Sequence, residues 1–408
     1  MNVNTIENSV KEYSLWKIMS YVSHILLEYP LLLSEPNYKE LLIGHLRRIY
    51  FFDVELESKI QGLDQELEAL GKCRSGPSTM YPSIVPEGHL EALRNKPQPE
   101  QRTDAWYVFR HDHITASNGW KALGTVASQN QLIYEKCQPL STEKFAPSLT
   151  ETPMSWGQKY EYLTTCLYEE KNQTTISSFG CIEHPQYPFL AASPDGIVTG
   201  DNNYGRMIEI KNVVSREING NPKKDYYIQM QLQMEVCDLD ECDFVETKFI
   251  EYDTEEAFQK DDAKKGVIMV FLEEGEYVYR YMPLSTLDYN TWMNETYEQT
   301  QLTWVKNLYW KLDVYSCILV KRQREWFQAA VPAFVSIWET ILRERENGEY
   351  VKRAPKKRAK PTPKQEICQI KNEMFQKDEL SDPTLDPTLE PMEYETNEKE
   401  KELKLIDL

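Results

Sequence analysis

The sequence predicts an α/β (α+β) protein in which a mixed central β-sheet is flanked by helices, with a helical region before it and further helices after it. Helical periodicity at 103–124, 155–171 and 224–237 brackets β-rich runs at 188–199 and 206–214, and more β-rich runs follow at 243–251 and 266–283. Apolar residues make up 41% and aromatic residues 12% of the 408, enough for at least one large core and for more than one domain. No solenoid-type repeat organises the chain.

The elements follow in order. In 1–97, Tyr13, Trp16, Ile18, Met19, Val22, Ile25 and Leu26 recur near a 3.6-residue period, and 38–50 repeats the pattern. Nothing there carries chemistry. Pro77, Pro82, Pro86, Pro97 and Pro99 block regular structure over 75–99, which is a linker or irregular loop, so a boundary is expected near 98 and an α/β core over 98–288. Over 289–350, Trp292, Trp304, Leu308, Trp310, Val314, Trp326, Phe327, Phe334, Trp338 and Leu342 predict two long helices packed on that core. Such a stripe is read as packing rather than as a platform for bases. From 351 to 408 the chain is first basic and then acidic. Residues 352–364 hold seven basic side chains and no acidic one, whereas 365–408 hold thirteen acidic against five basic. Low hydrophobicity with charge runs predicts a disordered tail.

Charge narrows the function. Forty-six Lys and Arg against sixty-five Asp and Glu give −19, which argues against a surface that grips nucleic acid or anionic lipid by bulk charge. A polyanionic partner must be held locally. The longest apolar stretch, Tyr21 to Leu33, is broken by His24, Glu28 and Pro30, and no basic patch followed by an apolar run opens the chain. A soluble, intracellular protein with no membrane partner is expected. Eight scattered cysteines without a C-x-x-C pair predict reduced thiols, and with only Cys237 and Cys242 close together no iron–sulfur cluster is expected. There is no H-x-x-x-H pair for zinc and no G-x-x-x-x-G-K-S/T loop for a nucleotide. The run Pro355 to Pro361 fits a nuclear import signal or a nonspecific DNA-contacting arm as well as it fits a solubilising linker.

The chemistry lies between Phe189 and Val213. Phe189 to Val198 reads as a strand interrupted by a tight turn, and a second turn over 200–205 leads into Met207-Ile208-Glu209-Ile210-Lys211. Side chains alternate along a strand, so Glu209 and Lys211 share one face while Ile208 and Ile210 enter the core. Asp195 beside Glu209 puts two carboxylates at one half-buried spot, where repulsion and desolvation raise at least one pKa unless a cation neutralises them. A hard divalent ion does that. Carboxylates, a main-chain carbonyl such as that of Ile210, and water form the oxygen shell that Mg²⁺ prefers. Lys211 is placed to orient or deprotonate an attacking water, or to stabilise charge on a phosphate. The set suits metal-assisted phosphodiester hydrolysis, although Glu-x-Lys alone is common in ordinary strands.

Two helices add to it. Trp156, Tyr160, Leu163 and Leu167 form an apolar stripe with Glu161 at its margin, where a carboxylate reaches a site without being buried unpaired. Gln229 and Gln233 share a face at i, i+4, and an amide there positions a water or a phosphate oxygen. Arg110 offers a planar guanidinium suited to phosphate, and Ser117 a nearby hydroxyl.

Asp195 followed by Glu209-Ile210-Lys211 resembles the signature of the PD-(D/E)XK nuclease superfamily, and within it the YqaJ-type viral recombinase and bacteriophage lambda exonuclease family. Three further blocks in the same order carry the resemblance: Asp104 to Arg110 with Ile114 to Ser117, Trp156 to Glu161, and Tyr226 to Gln231. It covers about 102–250. The resemblance implies a restriction-endonuclease-like core and a Mg²⁺-dependent 5′→3′ exonuclease, with Mn²⁺ as the alternative ion, acting on double-stranded DNA ends in viral recombination, repair or replication. Asp195, Glu209, Lys211, Gln229 and Glu161 would be catalytic, and Glu161, Asp195, Glu209 and the Ile210 carbonyl would hold the metal. Arg110 and Ser117 would bind a 5′-phosphate. The further basic residue that the family carries after that motif has no counterpart in 124–131, and Lys121 and Lys136 are the neighbouring candidates. A ring-forming homo-oligomer and a single-strand annealing partner are implied as well. The rival readings are a structure-specific endonuclease with the same site and a non-catalytic DNA-end or recombination-partner protein.

Overall fold

Two sheets organise the α/β region of the computed structural model, which describes residues 21–49 apart from 23, 30, 33, 34 and 36, together with 85–140 and 152–355. These residues all fall in one compact unit, Met1–Pro355. Helix α1 (Tyr38–Ile49) and α2 (His89–Arg94) come first, then α3 (Asp104–His111), β1 (Ile114–Thr115), α4 (Ala116–Gly119) and α5 (Val126–Cys137). The long α6 (Pro153–Asn172) precedes β2 (Ile176–Ser177), β3 (Ile182–Glu183), β4 (Leu190–Ala192), β5 (Gly196–Val198) and β6 (Met207–Asn212). After them run α7 (Lys224–Cys237), β7 (Glu241–Glu251), α8 (Glu255–Lys260), β8 (Lys265–Glu273), β9 (Glu276–Tyr281), α9 (Tyr289–Glu298), β10 (Thr303–Lys321) and α10 (Arg324–Asn347).

The larger sheet has the order β2-β5-β6-β7-β10-β8-β9, and β1-β4-β3 form a smaller one. Among the described strands, only β6 with β7 and β1 with β4 pair in parallel, so both sheets are mixed, as the alternation of helix and strand patterns predicts. Helix α6 lies along β6 and β7, and Tyr168 packs with Val198, Ile208, Ile210 and Val245 on that face. Met207, Phe244 and Cys242 belong to the other face, in one cluster with Tyr227, Met230 and Met234 of α7 and Trp326 and Phe334 of α10. The β6 side chains therefore alternate between two buried layers, and a charged residue on β6 is forced to find partners beneath a helix. Val22, Ile25, Leu42, Leu46, Leu90 and Leu93 join the same cluster, so the hydrophobic core runs without interruption across position 98.

Four expectations need correction, the first being the linker or irregular loop over 75–99, within which α2 forms and buries Leu90 and Leu93. The two long helices predicted over 289–350 are a ten-residue α9 and the 24-residue α10, with the 19-residue strand β10 between them. Trp304, Leu308, Trp310 and Val314 are separated by even numbers of residues, a spacing that serves a strand as well as a helix, and the segment is rich in β-branched and aromatic residues. The helix expected over 103–124 is divided into α3, β1 and α4: the Thr103 hydroxyl caps α3, and Thr115 and Asn118 form a capping box that opens a new helix. The start of the tail is ordered, because Glu349–Arg353 forms a 3₁₀ turn in which Arg353 donates to both Glu344 oxygens (2.5 and 2.7 Å). The early helical pattern before 21 and the charge runs beyond 355 lie outside the described residues. No described helix is long and apolar enough to cross a membrane.

Candidate active site

The sequence places Asp195 in the turn between β4 and β5, and Glu209, Ile210 and Lys211 on β6. The strands pair antiparallel with Gly196 opposite Ile208. Added at Gly196, a Cβ would lie 2.3 Å from the Ile176 side chain, so only glycine lets the turn sit this tightly beside the sheet. Asp195 Oδ2 accepts the Ile210 N–H at 2.7 Å, which ties its carboxylate to the middle of the Glu-x-Lys motif.

Glu209 is fully buried. One of its oxygens accepts from Lys211 Nζ and the other from Gln233 Nε2 at 2.8 Å. Gln233 Oε1 is buried with no hydrogen-bond partner. Lys211 Nζ also stands 5.0 Å from the centre of the Tyr226 ring. Burial alone would lower the Lys211 pKa, yet the charges of Glu209 and Asp195 outweigh it and hold the amine above its ordinary value, so it is an ammonium in this state. Burial, followed by the Glu209 charge, lifts the Asp195 carboxyl well above the usual range against the pull of Lys211. Glu161 is raised by burial too, in spite of Arg102, with Glu209 adding to the rise. These mutual effects show that the three acids feel one another's charge.

Helix α6 brings Glu161 to the site. Thr152 caps it by accepting from Ser155 N at 3.1 Å, Pro153 occupies its first turn, and Asn212 at the end of β6 donates to the Gly157 carbonyl at 2.8 Å. Thr164 and Thr247 both donate to Asn212 Oδ1 at 2.7 Å, which locks α6, β6 and β7 in register. Arg102 donates to Glu161 at 2.7 Å. Glu161, Asp195, Ile210 and Lys211 line one cleft of about 500 Å³, together with Gly157, Asn212, Arg216, Lys223 and Tyr226. Glu209 lies beneath it.

Gln229 is half-buried on α7 and does not line this cleft. The amide that reaches a carboxylate belongs to Gln233, one helical turn further on, as the shared face of the two glutamines allows. Arg110 and Ser117 do meet, Nη2 donating to Oγ at 2.9 Å, with the guanidinium 4.2 Å above the Trp106 ring. Trp106 Nε1 donates to Ser193 Oγ at 3.0 Å, so this pair and the carboxylates share the Ser193–Asp195 turn. Lys121 is paired with Glu135 at 2.7 Å, whereas buried Lys136 donates to the Arg110 carbonyl. Burial, with Arg110 nearby, pulls the Lys136 pKa down to about 7.

Gln233, Arg102 and Asn212 are the contacts that sequence reasoning missed. Gln233 was signalled by its i, i+4 relation to Gln229; Arg102 and Asn212 carried no local signal. Among the described residues, no three His, Cys, Asp or Glu side chains stand together as a ready ligand group, and Arg102, Lys211 and the Ile210 N–H engage the acids. The donor set is nonetheless of the kind a hard cation takes: carboxylates of raised proton affinity, a carbonyl, and the buried amide oxygen of Gln233 that has no donor.

Residues 105–240 match the YqaJ-like viral recombinase domain family. An uncharacterised protein of Acanthamoeba polyphaga mimivirus is 26% identical over 321 residues, 64% of this chain, and the chain spans 56% of that relative's length. Among solved structures, an alkaline exonuclease from Laribacter hongkongensis aligns at 21% identity over 62% of this chain and 97% of its own, with a TM-score of 0.34. A phage-related exonuclease from Haemophilus somnus aligns at 14% identity over 57% of this chain and 96% of its own, with a TM-score of 0.32. The segment that supplies Asp195, Glu209, Lys211 and Glu161 thus lies wholly inside the range, residues 105–240, that is similar to the YqaJ-like viral recombinase domain.

Proposed function

We propose that this chain is a metal-dependent deoxyribonuclease that degrades double-stranded DNA from its ends in the 5′→3′ direction, serving recombination, repair or replication of viral DNA. The observation that carries the reading is the convergence of Asp195, Lys211 and Glu161 from three elements on one cleft, with buried Glu209 paired to Lys211. Asp195, Glu209, Glu161 and the Ile210 carbonyl would hold Mg²⁺ or Mn²⁺, which when bound polarises the phosphate and lowers the pKa of water. The chain's own groups do the rest. Lys211, held as an ammonium, donates to a phosphate oxygen and offsets the charge that builds on it. Gln233 fixes the Glu209 carboxylate from below. Gln229, on the same helix face but outside the cleft lining, would order water or a phosphate oxygen. Arg110 and Ser117, with Lys136 beneath them, fit a terminal 5′-phosphate, since a planar guanidinium and a hydroxyl are already 2.9 Å apart.

The test uses linear duplexes labelled at either end, with and without 5′-phosphate, in Mg²⁺, Mn²⁺ or chelator. Release of nucleotides from the 5′ end in metal and none in chelator is expected. Cutting of covalently closed circles would move the reading to an endonuclease. Full biological function of a Lys211→Ala chain that hydrolyses nothing would move it to a non-catalytic recombination partner. A ring-shaped homo-oligomer, a single-strand annealing partner and host-nuclear import through the 352–364 run belong to the same proposal. Sedimentation, co-purification and the distribution of a chain lacking that run test them.

A further inference from the structure

The cleft has a wall that the nuclease motifs do not account for. Past Lys211 the chain keeps its pairing for two residues, with the Val213 N–H donating to the Thr247 carbonyl at 2.7 Å, and then leaves the sheet. Val213, Val214, Ser215, Arg216 and Lys223 of this departing segment all line the cleft. Arg216 is held there. Its Nη2 donates to Glu246, its Nη1 reaches the Glu217 carbonyl at 3.3 Å, and its guanidinium carbon stands 5.8 Å from the centre of the Tyr226 ring that Lys211 also faces.

Glu246 explains why the arginine is fixed. It lies on β7 opposite Lys211 in the parallel register and is 1% exposed. One of its oxygens meets Arg216, and the other is buried with no partner. A carboxylate is not left in such a place without a compensating cation, and a carboxylate whose second oxygen is unsatisfied is poorly accounted for as a stability device. Its effect is positional: it pins a guanidinium from a loop against an aromatic ring at the mouth of the site. A guanidinium has five N–H donors, and Glu246 and the Glu217 carbonyl use part of them, leaving others for a ligand in the cleft. Lys223 lines the same cleft, is exposed, and has no carboxylate partner among the described residues. In a chain of net charge −19, Lys211, Arg216 and Lys223 at one cleft form a local concentration of positive charge beside the carboxylates. A planar guanidinium and a mobile ammonium beside an aromatic ring suit a phosphodiester backbone.

We propose that Arg216 and Lys223 form a phosphodiester-binding wall that grips the DNA strand beside the bond to be cleaved, with Glu246 as the residue that positions Arg216. This deepens the nuclease reading and rests on it for the identity of the ligand. The test measures binding of a fluorescein-labelled duplex in chelator, where nothing is cut, and KM and kcat in Mg²⁺, for Arg216→Ala, Lys223→Ala, the double variant, Arg216→Lys and Glu246→Gln. The double variant is expected to raise Kd and KM by about tenfold or more while kcat falls by less. Arg216→Lys is expected to recover only part of the loss, because an ammonium cannot keep both Glu246 and a bidentate phosphate contact. Glu246→Gln should raise KM by an intermediate factor. Exposed Lys223 keeps the test open should the Glu246 variant fail to fold. A folded double variant with unchanged Kd and KM would overturn the wall and leave the nuclease reading intact if the wild type still cuts. Wild-type protein that cuts nothing yet binds DNA through Arg216 and Lys223 would sink the nuclease reading and keep the wall.

Discussion

Asp195 shows how much a single residue decides. Half-buried beside Glu209 and lifted well above the ordinary carboxylate range, it is a liability to the fold that the Ile210 N–H and Lys211 only partly offset. Because its folded-state pKa exceeds the unfolded value of about 3.9, the native state binds the proton more tightly, and stability falls as pH rises from that value towards the raised one. Asp195→Asn keeps the acceptor for Ile210 and removes the charge. In metal-free buffer its thermal midpoint should exceed that of wild type at pH 8 and differ little at pH 4, while hydrolysis assayed in Mg²⁺ drops by roughly 100-fold or more. Equal midpoints at both pH values would contradict the charge argument. Lys136 runs the other way. Its pKa is pulled down to about 7 by burial, so between there and the unfolded value of about 10.4 the unfolded chain binds more protons and native stability rises with pH. Lys136→Met lacks that rise, and its midpoint relative to wild type should fall from pH 6.5 to 9.5 by several degrees in calorimetry. Residue identity was readable where a motif dictates chemistry, as for Asp195, Glu209 and Lys211. The sequence pairs Gln229 with Gln233 on one face but does not say which amide meets Glu209, because two amides one turn apart differ only in which one the helix rotation brings over it, and the fold brings Gln233.

At the level of elements, legibility followed the purity of the periodic signal. Helices α6 and α7 were read within two residues of their ends because their apolar residues keep helical spacing throughout, and α6 has a Thr152 cap as well. Strand β10 was missed because even spacing of large residues fits two periods at once, and what chose the strand is tertiary: it is the spine between β7 and β8, bulged between Leu312 and Val314 and between Trp304 and Lys306 so that one strand serves both neighbours. Trp310 sits where those two pairings overlap. It is fully buried, edge-on to Phe249 at 5.4 Å, and a Cβ at Gly266 would come within 2.7 Å of its ring. Trp310→Ala should therefore lose about 3–5 kcal/mol in urea unfolding, whereas Leu287→Ala, at a side chain 99% exposed, should stay within about 0.5 kcal/mol of wild type. Comparable losses for the two would mean that β10 is not the spine of the sheet.

For the molecule as a whole, the charge total was plain from the sequence and its distribution was not. Sixty-five acidic side chains set a repulsive long-range field for DNA, yet the fold gathers Lys211, Arg216 and Lys223 on one wall of the cleft that Glu161 and Asp195 also line. Affinity must then come from a few short-range phosphate contacts against an unfavourable background. Counterion release gives a slope of log K against log salt of roughly −0.9 per phosphate neutralised, so about three contacts give a slope near −3 and a loss on the order of 50-fold between 50 and 200 mM salt. Screening of the acidic surface works in the opposite direction, since added salt weakens repulsion over distances longer than about 10 Å. The two effects separate in kinetics. KM for duplex DNA should climb steeply between 50 and 200 mM KCl while kcat stays within about twofold, and Arg216→Ala with Lys223→Ala should make the slope shallower by about two. A KM that is flat in salt, or a slope unchanged in the double variant, would show that the acidic field and not the cleft governs how this chain meets DNA.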